Sequence, residues 1–243
     1  MKNLLRLSLL IGSFLLLWQS LIIFLKLPPY LLPSPLDVAA SFYSHRLLIA
    51  QHTIPTLIET LGGFSLGVLS GCIAGCLVSS FKPLRFWFLP LLIISQAIPT
   101  FAIAPLLVLW LGYGLTSKIM TAVLIIFFPI CSALYDGLRN VPHAWLDLAK
   151  TMQANQWRRF VHISFPAALP ALASGLRIAA VGAPIGAIVG EWVGSSRGLG
   201  YLMLNANARL QIDLMFAALV VIVILALSLY LIVDKCLERL ITW

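Results

Sequence analysis

Glu191 is the most conspicuous chemical group in this sequence, because it places a carboxylate inside a run that is otherwise apolar from about 174 to 194. A charge at the centre of a bilayer costs about 2.5–3.5 kcal/mol on insertion scales, so such a residue must face protein or water. Three roles are open to it: an ion pair with Arg197 or Arg209 beyond the run, a hydrogen bond across helices, or a part in gating a pathway. Glu59 and Asp136 stand at the edges of two other apolar runs. Catalytic patterns are missing. There is no H-E-x-x-H, no pair of aspartates in facing runs, and no G-x-S-x-G setting for a serine. His143 and His162 have no ligand partner at helical spacing, and His45 and His52 read as polar residues at a surface. Cys72 and Cys76 lie one turn apart, yet with Cys131 and Cys236 they give no zinc spacing and read as small packing residues. One buried acid is thin for a proton relay. Gly112-Tyr-Gly114 is too short for an ion filter, and no G-x-x-x-x-G-K-S/T loop is present. The chain is expected to be no enzyme, to hold no metal or cofactor, and to draw its energy from another subunit.

A second pattern lies at 138–174, a basic stretch between apolar runs. Arg139, Lys150, Arg158 and Arg159 stand there against the single acid Asp147. Trp145, Leu148, Ala149 and Met152 recur at i, i+3, i+4, i+7, which is one helix face. Pro142 suits the first turn of that helix. Asn155 can cap a second short helix, with Trp157, Phe160 and Val161 on one side and Arg158 and Arg159 on the other. Pro166 and Pro170 then close the stretch. A compact amphipathic helix pair offers a docking surface; the other reading lays its apolar stripe on lipid.

The elements that position these groups follow from composition. The chain is 61% hydrophobic and only 10% charged, with mean hydropathy +1.02. Soluble domains run nearer about 45–50% and about 25%, so this chain lives in a bilayer. Runs long enough to span it, about 20 residues each, occur at about 4–25, 57–80, 88–111, 119–137, 174–194 and 214–233. They predict an all-α membrane protein of about six transmembrane helices. Residues 1–55 form an N-terminal anchor helix and outer segment, and 56–243 a five-helix core carrying the loop 138–174. The first run exceeds the core of a signal peptide and no small-x-small site follows it, so it reads as a retained anchor. The prolines from Pro28 to Pro35 forbid a helix, and 36–50 reads as a short amphipathic segment at the outer surface. With the N-terminus inside, eleven of the sixteen Lys and Arg fall on inner segments. That bias puts both termini and the 138–174 stretch in the cytoplasm. It also explains the net charge of +8 without a nucleic-acid partner.

Two rows of glycines, Gly63, Gly67, Gly71, Gly75 and Gly182, Gly186, Gly190, Gly194, repeat every four residues. They let backbones approach closely, either within one subunit or at a moving or dimeric interface. Prolines in the spans, among them Pro99, Pro105, Pro129 and Pro184, bend helices and free carbonyls. Pro99, Pro105, Gly190 and Glu191 are the candidate lining or gate of a pathway.

The segment Asp147-Leu-Ala149, followed by Gln153 and then Ile163-Ser-Phe165-Pro166, resembles the E-A-A-x3-G-x9-I-x-L-P signature of permease subunits of binding-protein-dependent ABC importers. The spacing is kept; Asp147, Leu148, Gln153 and Phe165 replace Glu, Ala, Gly and Leu. Gln at the glycine position is expected to cost about 1 kcal/mol or to shift the turn. Leu32-Pro-Ser-Pro35, Ile98-Pro99 with Trp110-Leu-Gly112, Leu169-Pro170 with Gly175-Leu-Arg177, and Gly190-Glu191 with Gly198-Leu-Gly200 are similar to the nitrate/sulfonate/taurine branch. Gly190 to Met203 looks most like permeases for thiamine-pyrimidine precursors.

The resemblance implies a type I importer fold, like that of methionine importers, in a bacterial inner membrane. It implies a second permease copy, cytoplasmic ATP-binding subunits that use the ATP, and a periplasmic or lipid-anchored substrate-binding protein. Trp145, Asp147, Leu148, Ala149, Met152, Gln153, Trp157, Phe160, Ile163 and Pro166 are then the ATPase-coupling residues. The implied cargo is a small polar organic molecule such as a pyrimidine precursor of thiamine, with sulfonate, taurine or nitrate as alternatives. A self-sufficient secondary carrier is the remaining alternative.

Overall fold

The computed structural model describes residues 2–241, and every element among them is helical. In chain order these are α1 (Lys2–Leu25), α2 (Pro35–Ser44), α3 (Arg46–Ser80), α4 (Lys82–Ala97), α5 (Thr100–Leu111) and α6 (Leu115–Arg139). Then come α7 (His143–Thr151), α8 (Gln156–Arg159), α9 (Phe165–Gly194), α10 (Leu199–Ala208) and α11 (Ile212–Leu240). A single π-helical turn, Phe160–Ser164, fuses α8 to α9.

Among the described residues four helical runs are long and apolar enough to cross a membrane unaided: α3, α6, the continuous run Gln156–Gly194, and α11. The expected third span at 88–111 is not straight. It is the pair α4 and α5, bent by 103°. The cause is local: a residue before proline is pushed out of the helical region. Ile98 and Pro99 are accordingly extended, at ψ 119° and 122°. Two further boundaries move. The segment expected over 36–50 ends at Ser44, where α2 stops; a capping box between Ser34 and Asp37 starts it. Arg46 already opens α3, which runs 35 residues without a break, so the division at 55/56 falls inside one helix.

Helix α6 is sandwiched between α3 and α9, and the glycines are the reason. On α3, Gly63, Gly67, Gly71 and Gly75 face Ala122, Ile126, Ile130 and Leu134 of α6 in step, one pair per turn. On α9, Gly182, Gly186 and Gly190, with Gly175 before them, press against Ile126, Ala122, Lys118 and Pro129 of α6 from the other side, while Gly194 meets Val108 of α5. A Cβ at Gly190 would stand 2.9 Å from the Lys118 Cα. Both glycine rows therefore pack helices within one subunit. Ile126, Ile130 and Leu134 are fully buried between them. A second core forms where Leu199, Leu202 and Ala206 of α10 meet Leu214, Ala217 and Ile222 of α11. Arg177 and Asp234, 2.6 Å apart, tie α9 to α11 further along. Away from these cores the helices expose Leu, Ile, Val and Phe, as helices facing lipid do.

Candidate functional site

The connection from α6 to α9 is shorter than the sequence pattern suggests. Leu138 and Arg139 still belong to α6, and Pro166 and Pro170 lie inside α9. Pro166 stands just after the π-turn Phe160–Ser164, where the change of hydrogen-bond register leaves room for a residue without an amide. What remains is α7, a turn, and a single helical turn that flows into α9. Asn155 caps α8 as expected, its Oδ1 accepting from the Arg158 amide at 2.8 Å. The second helix is not a separate element, since the π-turn makes it the first turn of a membrane helix.

Gln153 sits at the hinge between the two short helices with φ 56°. Its amide donates to the Lys150 carbonyl and the Ala154 amide to the Ala149 carbonyl, both at 2.9 Å. These are the two bonds of a Schellman closure, which wants a left-handed residue at this position and usually takes glycine. The chain therefore keeps the turn and accepts the strain, about 1–2 kcal/mol for a residue with a side chain.

The stripe is displayed, with one exception. Trp145, Leu148 and Trp157 are exposed, as is Met152 at 74%. Ala149 is buried beneath them, so it does not form the displayed surface. Trp145, Leu148, Ile163 and Pro166 line one groove of about 480 Å³. Trp157 and Phe160, stacked at 6.1 Å, line a second with Arg159 and the end of α3. Asp147 accepts from Lys150 at 2.8 Å on the exposed rim. That ammonium, by hydrogen bond and by charge, holds the Asp147 carboxyl below the usual carboxylate range.

At the opposite end of α6 and α9 lies a buried ionic cluster. Glu191 accepts from the Thr56 hydroxyl at 2.5 Å, from the Gly200 amide at 2.5 Å and from the Tyr201 amide at 3.4 Å. Thr56 in turn accepts from the Leu199 amide at 2.8 Å, and His52 Nδ1 from the Gly198 amide at 3.0 Å. The opening amides of α10 are thus capped by side chains from α3 and α9. Gly198, at φ 113°, lets the loop pass over Glu191; a Cβ there would overlap the carboxyl group. The expected pairing of Glu191 with Arg197 or Arg209 does not occur, because α10 folds its amides onto the carboxylate first. Lys118, which sequence position places in an outer loop, is drawn inward. It reaches Glu59 at 3.0 Å and Ser195 at 2.7 Å.

The four residues expected along a pathway lie on two elements, α9 and the broken α4–α5 arm, which meet where Phe101 packs on Trp192 and Val108 on Gly194. Gly190 and Glu191 are interior, against Lys118 and α10, whereas Pro99 and Pro105 are exposed on the broken α4–α5 arm. Thr56, His52, Lys118 and Tyr201 were not singled out for this cluster. The signal available was Thr56 and Glu59 at i, i+3, extending the face of the glycine row.

A family model described as the inner membrane component of binding-protein-dependent transport systems matches residues 67–242. The chain belongs to this family. A probable ABC transporter permease of Haemophilus influenzae is 54% identical over 98% of this chain and 97% of its own length. The riboflavin transport permease of Chloroflexus aurantiacus is 36% identical over 94% of this chain and 86% of its own. The formylaminopyrimidine transport permease of Halalkalibacterium halodurans is 34% identical over 88% and 86%. Among solved structures, the inward-facing MetNI methionine ABC transporter superposes with TM-score 0.68 at 19% identity, over 81% of this chain and 97% of that one. The permease therefore has the type I importer fold and is a multi-pass membrane protein.

Proposed function

We propose that this permease forms the membrane pathway of an ATP-driven importer and that α7 and α8 are the surface through which ATP-binding subunits move it. The single observation that carries the reading is the exposed stripe Trp145, Leu148, Met152 and Trp157, held on a Schellman turn and an Asn155 cap at the root of α9. Apolar side chains displayed on so stiff a base suit a protein socket better than lipid, where a mobile amphipathic helix would serve. In this reading two copies of the chain enclose the pathway, both termini and the α7–α8 surface lie in the cytoplasm, and a binding protein delivers cargo at the outer face. The ATP-binding partners hydrolyse the nucleotide, and the permease converts their closure into rigid-body motion between two states.

The cargo proposed is a small polar organic molecule of the thiamine-pyrimidine kind, supported by the formylaminopyrimidine relative and the Gly190–Met203 segment. The riboflavin relative favours a second reading, a flavin cargo. The test is reconstitution in vesicles with its ATP-binding subunit and substrate-binding protein. Uptake of a labelled pyrimidine that requires ATP and is untouched by excess riboflavin is the expected result. Preferential uptake of riboflavin selects the flavin, and uptake undiminished without the ATP-binding subunit overturns the importer reading in favour of a self-sufficient carrier.

A further inference from the structure

The buried cluster between α3, α6 and α9 carries more negative charge than the protein around it answers. Glu59 and Glu191 are each only 1% exposed. Their carboxyl groups lie within interaction reach of one another, since Thr56, one turn before Glu59 on the same helix face, bonds directly to Glu191. Among the described residues one cation is built into the cluster. Lys118 reaches Glu59 through Oε1 at 3.0 Å, and its remaining reach goes to the neutral Ser195 hydroxyl. The other Glu59 oxygen, Oε2, is buried with no hydrogen-bond partner, and so is the Thr60 hydroxyl on the same stretch of α3. A buried acceptor without a donor is costly, and a buried charge without a counter-charge is far more so. The other titratable or charged groups near the cluster do not supply the missing charge. His52 spends its Nδ1 on the Gly198 amide, Tyr201 stacks on His52, Arg197 belongs to the loop beyond Ser195, and Tyr113 packs on Gly194.

We infer that Glu59 and Glu191 bind one further positive charge between them, a proton or a single alkali-metal ion, at Glu59 Oε2. Either occupant supplies what that oxygen lacks. A proton makes one carboxyl group a donor to the other; a sodium or potassium ion is held between the two carboxylates. The site is separate from the α7–α8 surface and stands whether or not that surface docks an ATP-binding subunit. It lies in the seam that fastens α10 to the α3–α6–α9 core, so its occupancy sets how firmly that end of the bundle is held.

The test uses the full-length chain in lipid nanodiscs, wild type and Glu59→Gln. The substitution keeps an oxygen for Lys118 and offers Glu191 an amide donor where Oε2 stood. Thermal unfolding is followed in choline buffer with and without sodium or potassium chloride at constant ionic strength, and infrared spectra are recorded in the alkali-free buffer. A carboxylic-acid carbonyl band in the wild type that is lost in Glu59→Gln identifies a proton. A rise in melting temperature of about 2–4 °C with sodium or potassium, absent in Glu59→Gln, identifies an alkali ion. A wild type with neither the band nor the alkali effect overturns the inference, and that arm needs no variant to fold. A folded Glu59→Gln chain that melts well below the wild type also counts against it.

Discussion

The Thr56 hydroxyl donates to Glu191 Oε1 at 2.5 Å while accepting from the Leu199 amide at 2.8 Å, so one side chain of α3 joins α9 to the start of α10. Thr56→Val removes both bonds at nearly constant volume and strands a buried amide, at a cost of about 1–3 kcal/mol. We expect melting to fall by about 2–4 °C per kcal/mol, with Thr56→Ser close to wild type. A Thr56→Val protein as stable as wild type would mean that the Glu191 and His52 bonds and the packing on α11 hold α10 without Thr56.

Gly198 is required twice over, by its φ of 113° and by the Glu191 carboxyl group beneath it. Gly198→Ala is expected to destabilise by more than 1–2 kcal/mol, roughly the conformational term alone. Gly12 in α1 has open space around it, and Gly12→Ala should instead stabilise by up to about 1 kcal/mol. Thermal unfolding of the two variants side by side checks the contrast.

At the hinge of the docking surface the direction reverses. Gln153 holds a left-handed conformation that glycine adopts freely. Gln153→Gly should raise stability by up to about 1 kcal/mol, and Gln153→Val should lower it. Equal melting temperatures for wild type and both variants would show that the turn relaxes away from its Schellman form.

On the displayed stripe, Met152→Glu and Trp157→Ala should abolish stimulation of the partner's nucleotide hydrolysis while leaving melting unchanged, because both side chains are exposed. Asp147→Arg should do the same through charge. Lys150 lowers the pKa of Asp147. Any contribution of this carboxylate is therefore present above the unfolded value of about 3.9 and lost only as pH falls through the folded one. Coupling should show no titration from Asp147 between about pH 5 and 9. Hydrolysis stimulated as in wild type by all three variants would place the socket elsewhere.

Much of this was legible in the residues themselves. The all-helical bilayer class followed from composition, the exposed stripe from its spacing, and the Asn155 cap from residue type. The glycine rows announced close packing but not its partner, because period four says that something approaches and not what. Three features escaped for stated reasons. The 103° bend at Ile98–Pro99 depends on how far a proline's local push is resisted by neighbours, which no single run of residues reveals. The merging of α8 into α9 needed a π-turn, which has no strong residue signature. The Lys118–Glu59–Thr56–Glu191 cluster joins groups up to 135 residues apart in sequence, and position along a hydropathy profile assigned Lys118 to a loop when its long stem carries the charge inward.

The helix α9 has a final mechanical implication. It begins at Phe165, one π-helical turn beyond the short helix that displays Trp157, runs 30 residues, about 45 Å, and ends past Glu191 at Gly194. Its glycines seat it on α6 without side chains that could slide or yield. Tilting such a strut by ~5° about its middle displaces each tip by about 2 Å, which exceeds the tolerance of a 2.5 Å hydrogen bond. A push delivered at Trp157 must therefore either carry α3 and α6 along as one block or tear Glu191 from Thr56, and the far mouth of the bundle senses the difference without any messenger in between.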